Sequence, residues 1–195
     1  MPSARPKTVR MQRYVALLRG IAPSGTNMGN DKLRGVFERL GFDKVGSVLS
    51  SGNILFRCGE TDVPALEQRI EEALAGDLGV ASRTILRELT ELRRLLDDDP
   101  FAGRTHARGT YLTATFLKHR PAWDAVPELC GTLTQVVGYD RAARAVLAVT
   151  DNSDPGRTPD FMTWLEKSYG KDITTRTWLT VQRIVGKLES IPLCD

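Results

Sequence analysis

Apolar positions in this chain fall into short uninterrupted runs that alternate with stripes at helical spacing. Tyr14 to Leu18 run on without a polar break, which predicts a buried strand over 13–19. A loop rich in turn formers follows, Ala22-Pro23-Ser24-Gly25-Thr26-Asn27. Leu33, Val36, Phe37 and Leu40 then recur on one helical face, with Asn30 as N-cap, Asp31 in the first turn and Gly41 at the end. Residues 45–49 and 54–57 read as two strands joined by the hairpin Ser50-Ser51-Gly52-Asn53. Asp62 and an early Pro64 open a second helix that buries Leu66, Ile70 and Leu74 and stops at Gly79. Residues 82–87 form a fourth strand.

This β-α-β-β-α-β order predicts a split βαβ, or ferredoxin-like, unit. The pattern then returns: a strand over 110–117, a short helix over 121–126, strands over 133–139 and 143–149, a helix over 159–169 and a short strand over 171–174. A final helix over 176–188 carries Trp178, Val181, Val185 and Leu188 on one face. The predicted fold is α+β, two ferredoxin-like α/β-plait units in tandem with an extra C-terminal helix. Its predicted divisions are a disordered basic tail over 1–12, one unit over 13–89, a helical linker over 90–108 and a second unit with the final helix over 109–195.

Composition adds little until the charges are located. The chain has 27 basic and 24 acidic side chains, but Arg5, Lys7, Arg10 and Arg13 sit together near the start, leaving 23 against 24. The basic surplus is therefore a terminal segment, not a basic body, which argues against nucleic acid as the partner. No apolar run reaches the ~20 residues of a membrane span, and the first residues lack the apolar stretch of a secretory signal, so a cytoplasmic protein with no membrane partner is expected. Cys58, Cys130 and Cys194 form no CxxC pair, and with only His106 and His119 there is no zinc spacing. No P-loop, GxGxxG or GxSxG motif occurs; no metal and no cofactor are expected, and the sequence names no catalytic residues. Asp97-Asp98-Asp99 reads as a solvated helix end, and Trp164, Tyr169 and Trp178 as core residues.

The remaining candidate chemistry comes from topology. In a split βαβ sheet the first and third strands are central neighbours, so Arg19-Gly20 should lie beside Gly52-Asn53, with the start of the first helix near Asn27 at the same edge. Arg19 offers a fork of donors, Ser51, Asn53 and Asn27 neutral hydrogen bonds, and a helix N-terminus free N–H groups, a set suited to an anion. Turn chemistry alone explains the same residues: Gly52 for positive φ, Asn53 for its own turn, Arg19 for a carboxylate. Thr174 or Thr175 as a cap with Arg176 in the first turn of the final helix poses the same choice, because a cation is disfavoured there unless an anion shares the helix end.

The segments LLRGI (17–21), GF with a following V and SGN–F (41–56), and YGKDITTRTW (169–178) resemble the DUF1697 family, whose function is undefined. The resemblance implies two α/β-plait halves and brings no activity or catalytic residue. The proline-containing loop over 22–27 departs from the N-V-G-G type that many relatives carry. The expectation is a binding module for a small anionic ligand held by Arg19, Asn27, Ser51, Asn53, Thr175 and Arg176. An enzyme using the same cleft and an RNA-binding protein are the alternatives.

Overall fold

The computed structural model describes residues 10–121, 133–153 and 161–192. The first half contains β1 (Gln12–Leu18), α1 (Asn30–Arg39), β2 (Asp43–Ser47), β3 (Asn53–Cys58), α2 (Val63–Leu78), β4 (Thr84–Glu88) and α3 (Leu89–Asp97). The second contains β5 (Thr110–Leu117), β6 (Thr134–Asp140), β7 (Ala145–Asp151), α4 (Phe161–Tyr169), β8 (Ile173–Thr177) and α5 (Trp178–Glu189). The fold is mixed α+β, with two four-stranded antiparallel sheets and, among the described residues, five helices. The sheets run β2-β3-β1-β4 and β6-β7-β5-β8 and so match strand for strand. The helix expected over 121–126 lies almost wholly outside the described residues.

The unbroken apolar run of β1 is explained by burial on both faces. Tyr14, Ala16 and Leu18 pack with Leu33 and Phe37 of α1 and Leu66 and Ile70 of α2. Val15 and Leu17 point the other way, into a core shared with Leu55, Ile85 and Leu112, Ala114 and Phe116 of the second sheet. Leu92 and Leu95 of α3 and Val181, Ile184 and Leu188 of α5 belong to that same core. A third cluster sets Val146, Ala148 and Ile173 against Phe161 and Leu165 of α4. Tyr14 and Phe56, the aromatics of the two central strands, stack on each other at 5.6 Å and are both buried. These aromatics lie on the helix-covered face, and the opposite face, which a base-stacking RNA reader leaves open, is covered by the core that Val15, Leu17 and Leu55 share with the second sheet.

Three local expectations are corrected. Residue 176 does not open the final helix: the β-branched run 173–177 pairs with β5, Arg176 opposite Ala114, and α5 begins at Trp178 with Thr177 as its cap. Asn30 is not the N-cap of α1. Gly29 takes that place, and the Asn30 amide turns away to Leu49 O at 2.9 Å. The C-terminal helix is not an unmatched addition, because α3 follows β4 as α5 follows β8 and packs against α5 in the shared core. The opening of α2 at Asp62, which accepts from Ala65 N, and its left-handed stop at Gly79 agree with the sequence.

The correspondence extends to irregularities. Leu18 N donates to Gly52 O and Leu117 N to Arg144 O, and both acceptor residues have positive φ, +72° and +48°. The edge strands β2 and β6 each carry a register shift ending at a glycine, Gly46 opposite Leu55 and Gly138 opposite Leu147. Such bulges turn an edge away from further strand pairing. Across the halves, Arg13 of β1 donates to Ile191 O at 3.1 Å and Arg57 of β3 to Pro192 O at 2.8 Å, satisfying carbonyls beyond the end of α5.

Candidate functional site

Because β1 and β3 pair with Leu17 opposite Asn53, the end of one strand lies beside the turn that starts the other. Arg176 enters that corner from β8 of the second half. Its Nε donates to Asn53 Oδ1 at 2.6 Å, and its terminal nitrogens donate to Leu18 O at 2.8 Å, Ser51 O at 3.2 Å and Thr174 Oγ1 at 2.7 Å. Asn53 is fully buried, and its amide nitrogen is spent on Val48 O and Ser51 Oγ. Every hydrogen-bond acceptor found around Arg176 is neutral. The protein enclosing the guanidinium pushes its pKa down to about 10.

The opposite corner repeats this arrangement with the roles of the halves exchanged. Arg87 of β4 is fully buried and stands two residues ahead of α3, as Arg176 stands two residues ahead of α5. It donates at 2.5 Å to Ala143 O, Leu117 O and its neighbour's Leu86 O. Leu117 and Ala143 hold the places in the second sheet that Leu18 and Ser51 hold in the first. Burial, with nearby Arg144 adding to it, pushes the Arg87 pKa down to about 9. The contacts are reciprocal, as they are across a two-fold axis.

Of the six residues expected to hold an anion, Ser51, Asn53 and Arg176 thus meet directly, and Arg19 lies beside them. Arg19 pairs with Glu166 and donates to Lys171 O at 3.0 Å and Ile173 O at 3.1 Å. Asn27 bonds elsewhere, donating to Leu78 O at the end of α2 and accepting from Lys32 Nζ. Thr175 points to the opposite strand face from Arg176, where its hydroxyl meets Thr115 at 2.8 Å and the Met162 sulfur.

Between the two arginine corners lies a charged seam. Arg83 Nε is 3.2 Å from Asp172 Oδ1, and Lys118 Nζ is 2.6 Å from Glu71 Oε1 and 3.8 Å from Glu67 Oε2. Glu67 is buried and accepts from Leu86 N at 2.8 Å; desolvation raises its pKa despite the nearby cations.

The seam opens into a groove of about 360 Å³ at the end of β5. Leu117, His119, Arg120 and Pro121 form one wall, and the α4–β8 loop over 168–172 forms the other. Arg120 and Lys171 are exposed and make no ion pair among the described residues, while His119 Nε2 is 3.6 Å from Asp172 Oδ2. Tyr169, Leu117 and Pro121 add apolar surface. The chemistry on offer is recognition of negative charge by one guanidinium fork and one ammonium, beside a small apolar patch.

Sequence reasoning missed Arg87, Arg120 and His119. Arg87 had a signal: it is a charge inside the apolar run Ile85-Leu86-Arg87. Arg120 and His119 had none, since a basic residue after a strand is ordinarily solvated. Asp97, Asp98 and Asp99 are occupied locally, pairing with Arg93 and Arg94 and accepting from Gly103 N. Among the described residues, no three His, Cys, Asp or Glu side chains are grouped to hold a metal ion, and no helix is long and apolar enough to cross a membrane.

The family model for a protein of unknown function, DUF1697, matches residues 11–142, and the chain belongs to that family. No curated protein matches the chain. Among solved structures, the chain is similar to the conserved bacterial protein SP0830 from Streptococcus pneumoniae, with a TM-score of 0.70 and 22% identity over 92% of this chain and 99% of that one. At this identity the likeness speaks for the fold.

Proposed function

We propose that the protein is a binding module for a small ligand that carries a phosphate or carboxylate, and that the ligand occupies the groove between the end of β5 and the α4–β8 loop. The observation that carries this reading is the pair Arg120 and Lys171, one on each wall, with no carboxylate pairing either among the described residues. The groove falls at the low end of the 300–1,000 Å³ typical of small-molecule sites. It lies at the sheet edge that the sequence singled out, moved from the first half to the second. In this reading Arg176, Ser51 and Asn53 build the corner behind the groove and do not touch the ligand, because Arg176 and Asn53 spend their side chains on each other and on nearby main-chain carbonyls. Each half is read as a ferredoxin-like βαββαβ plait closed by one further helix, which makes the groove a feature of one plait backed by the other. In this reading α3 closes the first half, so the helical part of the linker expected over 90–108 belongs to that half.

The test is calorimetry and thermal shift on the full chain with inorganic phosphate, pyrophosphate, sulfate and citrate. A probe at 100 times its Kd adds about 2.7 kcal/mol of stability. Binding that disappears in the double variant Arg120→Ala/Lys171→Ala is the expected result. A double variant that binds as the wild type does, or a wild type that binds none of the four, overturns the reading.

A further inference from the structure

We infer that the first half of the chain sets the geometry of the groove through Arg19, a positioning residue that acts on the ligand by way of Lys171; the inference rests on the binding reading just given. The wall carrying Lys171 is a short loop between α4, which ends at Tyr169, and β8, which begins at Ile173. A lysine on such a loop is a well-aimed charge only if the loop is held. Its side-chain ties come mainly from the other half. Arg19, directly after β1, donates to Lys171 O and Ile173 O on either side of Asp172, and pairs with Glu166 one turn back in α4. A single guanidinium thus ties together the helix end and both sides of the loop. Arg83, ahead of β4, reaches the Asp172 carboxylate. The second half supplies main-chain bonds, Lys118 N to Asp172 O at 2.9 Å and Gly170 N to Glu166 O at 3.0 Å, and the His119–Asp172 contact at 3.6 Å.

Arg19 is not a ligand contact in this arrangement. Its charge is paired with Glu166 and its donors face main-chain carbonyls. Its removal should loosen the loop while leaving the groove's own charges in place. That separates it from Lys171, whose removal takes a charge and leaves the loop tied. The two also differ in salt dependence, because only a charge that faces the ligand is screened together with it.

The experiment compares Arg19→Ala, Arg19→Lys and Lys171→Ala in the full chain by amide hydrogen exchange and by pyrophosphate titration at two ionic strengths. In Arg19→Ala the amides of 170–173 exchange faster while those of β5 do not. Pyrophosphate affinity falls about tenfold, the scale of one hydrogen bond to a charged group, with the salt dependence kept. Arg19→Lys, which keeps the cation and one donor reach, recovers part of both effects. In Lys171→Ala exchange is unchanged and the salt dependence falls. Unchanged exchange over 170–173 in Arg19→Ala overturns the inference, whether or not any probe binds. Faster exchange with undiminished affinity also overturns it. A wild type that binds no pyrophosphate counts against the binding reading, and exchange still decides whether Arg19 holds the loop.

Discussion

Replacing Arg87 with alanine removes the donor from three carbonyls at once, Ala143 O, Leu117 O and Leu86 O, all at 2.5 Å. A hydrogen bond from a charged donor contributes about 1.5–3 kcal/mol, so the gross loss is about 5–9 kcal/mol. Against this stands the cost of holding a cation away from water, visible in the pKa pushed down to about 9. That cost is several kcal/mol per buried ion and is recovered in the variant. The net expectation is the figure for removing one side of a buried charged network, about 3–5 kcal/mol. A protein with about 5–15 kcal/mol of stability still folds after such a loss, but with little margin. With an m-value of about 2 kcal/mol/M, the urea midpoint should fall by about 1.5–2.5 M. The assay is urea unfolding followed by far-UV circular dichroism and by tryptophan fluorescence. Trp123, Trp164 and Trp178 all lie in the second half, whereas Arg87 belongs to the first. If the arginine joins the halves, both signals move together. Arg87→Met, which keeps an apolar stem, separates packing from bonding and should fall between the two. A midpoint shift below about 0.5 M, or a dichroism transition that moves while fluorescence stays, refutes the reasoning.

Two further outcomes follow from other positions in the structure. Gly52→Ala would place a Cβ 2.7 Å from Ile21 Cγ1 at φ +72°, so it should cost about 2–4 kcal/mol from strain and overpacking. Gly41→Ala, at φ +80° but with open space around it, should cost only about 1–2 kcal/mol, and equal losses in the two melts would defeat the steric argument. Glu67 has a folded pKa raised above its ordinary 4.5, so the folded state keeps a proton that the unfolded state has released. Its contribution is full below the ordinary value and is lost as pH rises through the folded one. Glu67→Gln, which stays neutral, should therefore gain stability relative to the wild type over that window. Parallel stability curves between about pH 4 and pH 7 would show that Glu67 is not the group responsible.

Much of the fold was legible because it rests on local pattern. The run Tyr14–Leu18, the stripe Leu33-Val36-Phe37 and the Asp62…Gly79 signals state their elements directly, and the adjacency of Leu17 and Asn53 follows from strand order. Arg176 was misplaced because Thr174-Thr175-Arg176-Thr177 satisfies both a β-branched strand and a helix cap. Pairing with β5, a contact about sixty residues away in the chain, settles the choice for the strand. The reciprocal corners were harder to read, because the acceptors they share are main-chain carbonyls. Any residue carries a carbonyl, so nothing in Leu18, Ser51, Leu117 or Ala143 marks it as the acceptor for a buried arginine. The legible trace that the two corners share is positional: Arg87-Glu88-Leu89-Thr90 and Arg176-Thr177-Trp178-Leu179 each put an arginine two places before an apolar helix start. The groove was illegible for a different reason, since it is made by a loop that another part of the chain holds in place.

Acceptors drawn from the backbone also determine which mutations this pairing can absorb. The turn reads Ser51-Gly52-Asn53 in one half and Ala143-Arg144-Ala145 in the other, yet both offer the same carbonyl to the arginine opposite. Apart from Asn53, whose Oδ1 is itself an acceptor, side chains in these turns can drift, within the limits set by φ, without touching the bond that joins the halves. The length of the turn has no such latitude. One inserted residue would rotate that carbonyl out of reach and leave one donor of a buried guanidinium unpaired. The pairing of the halves is thus insulated from substitution on its acceptor side and exposed to insertion and deletion, and two segments with little sequence in common can remain mechanically interchangeable.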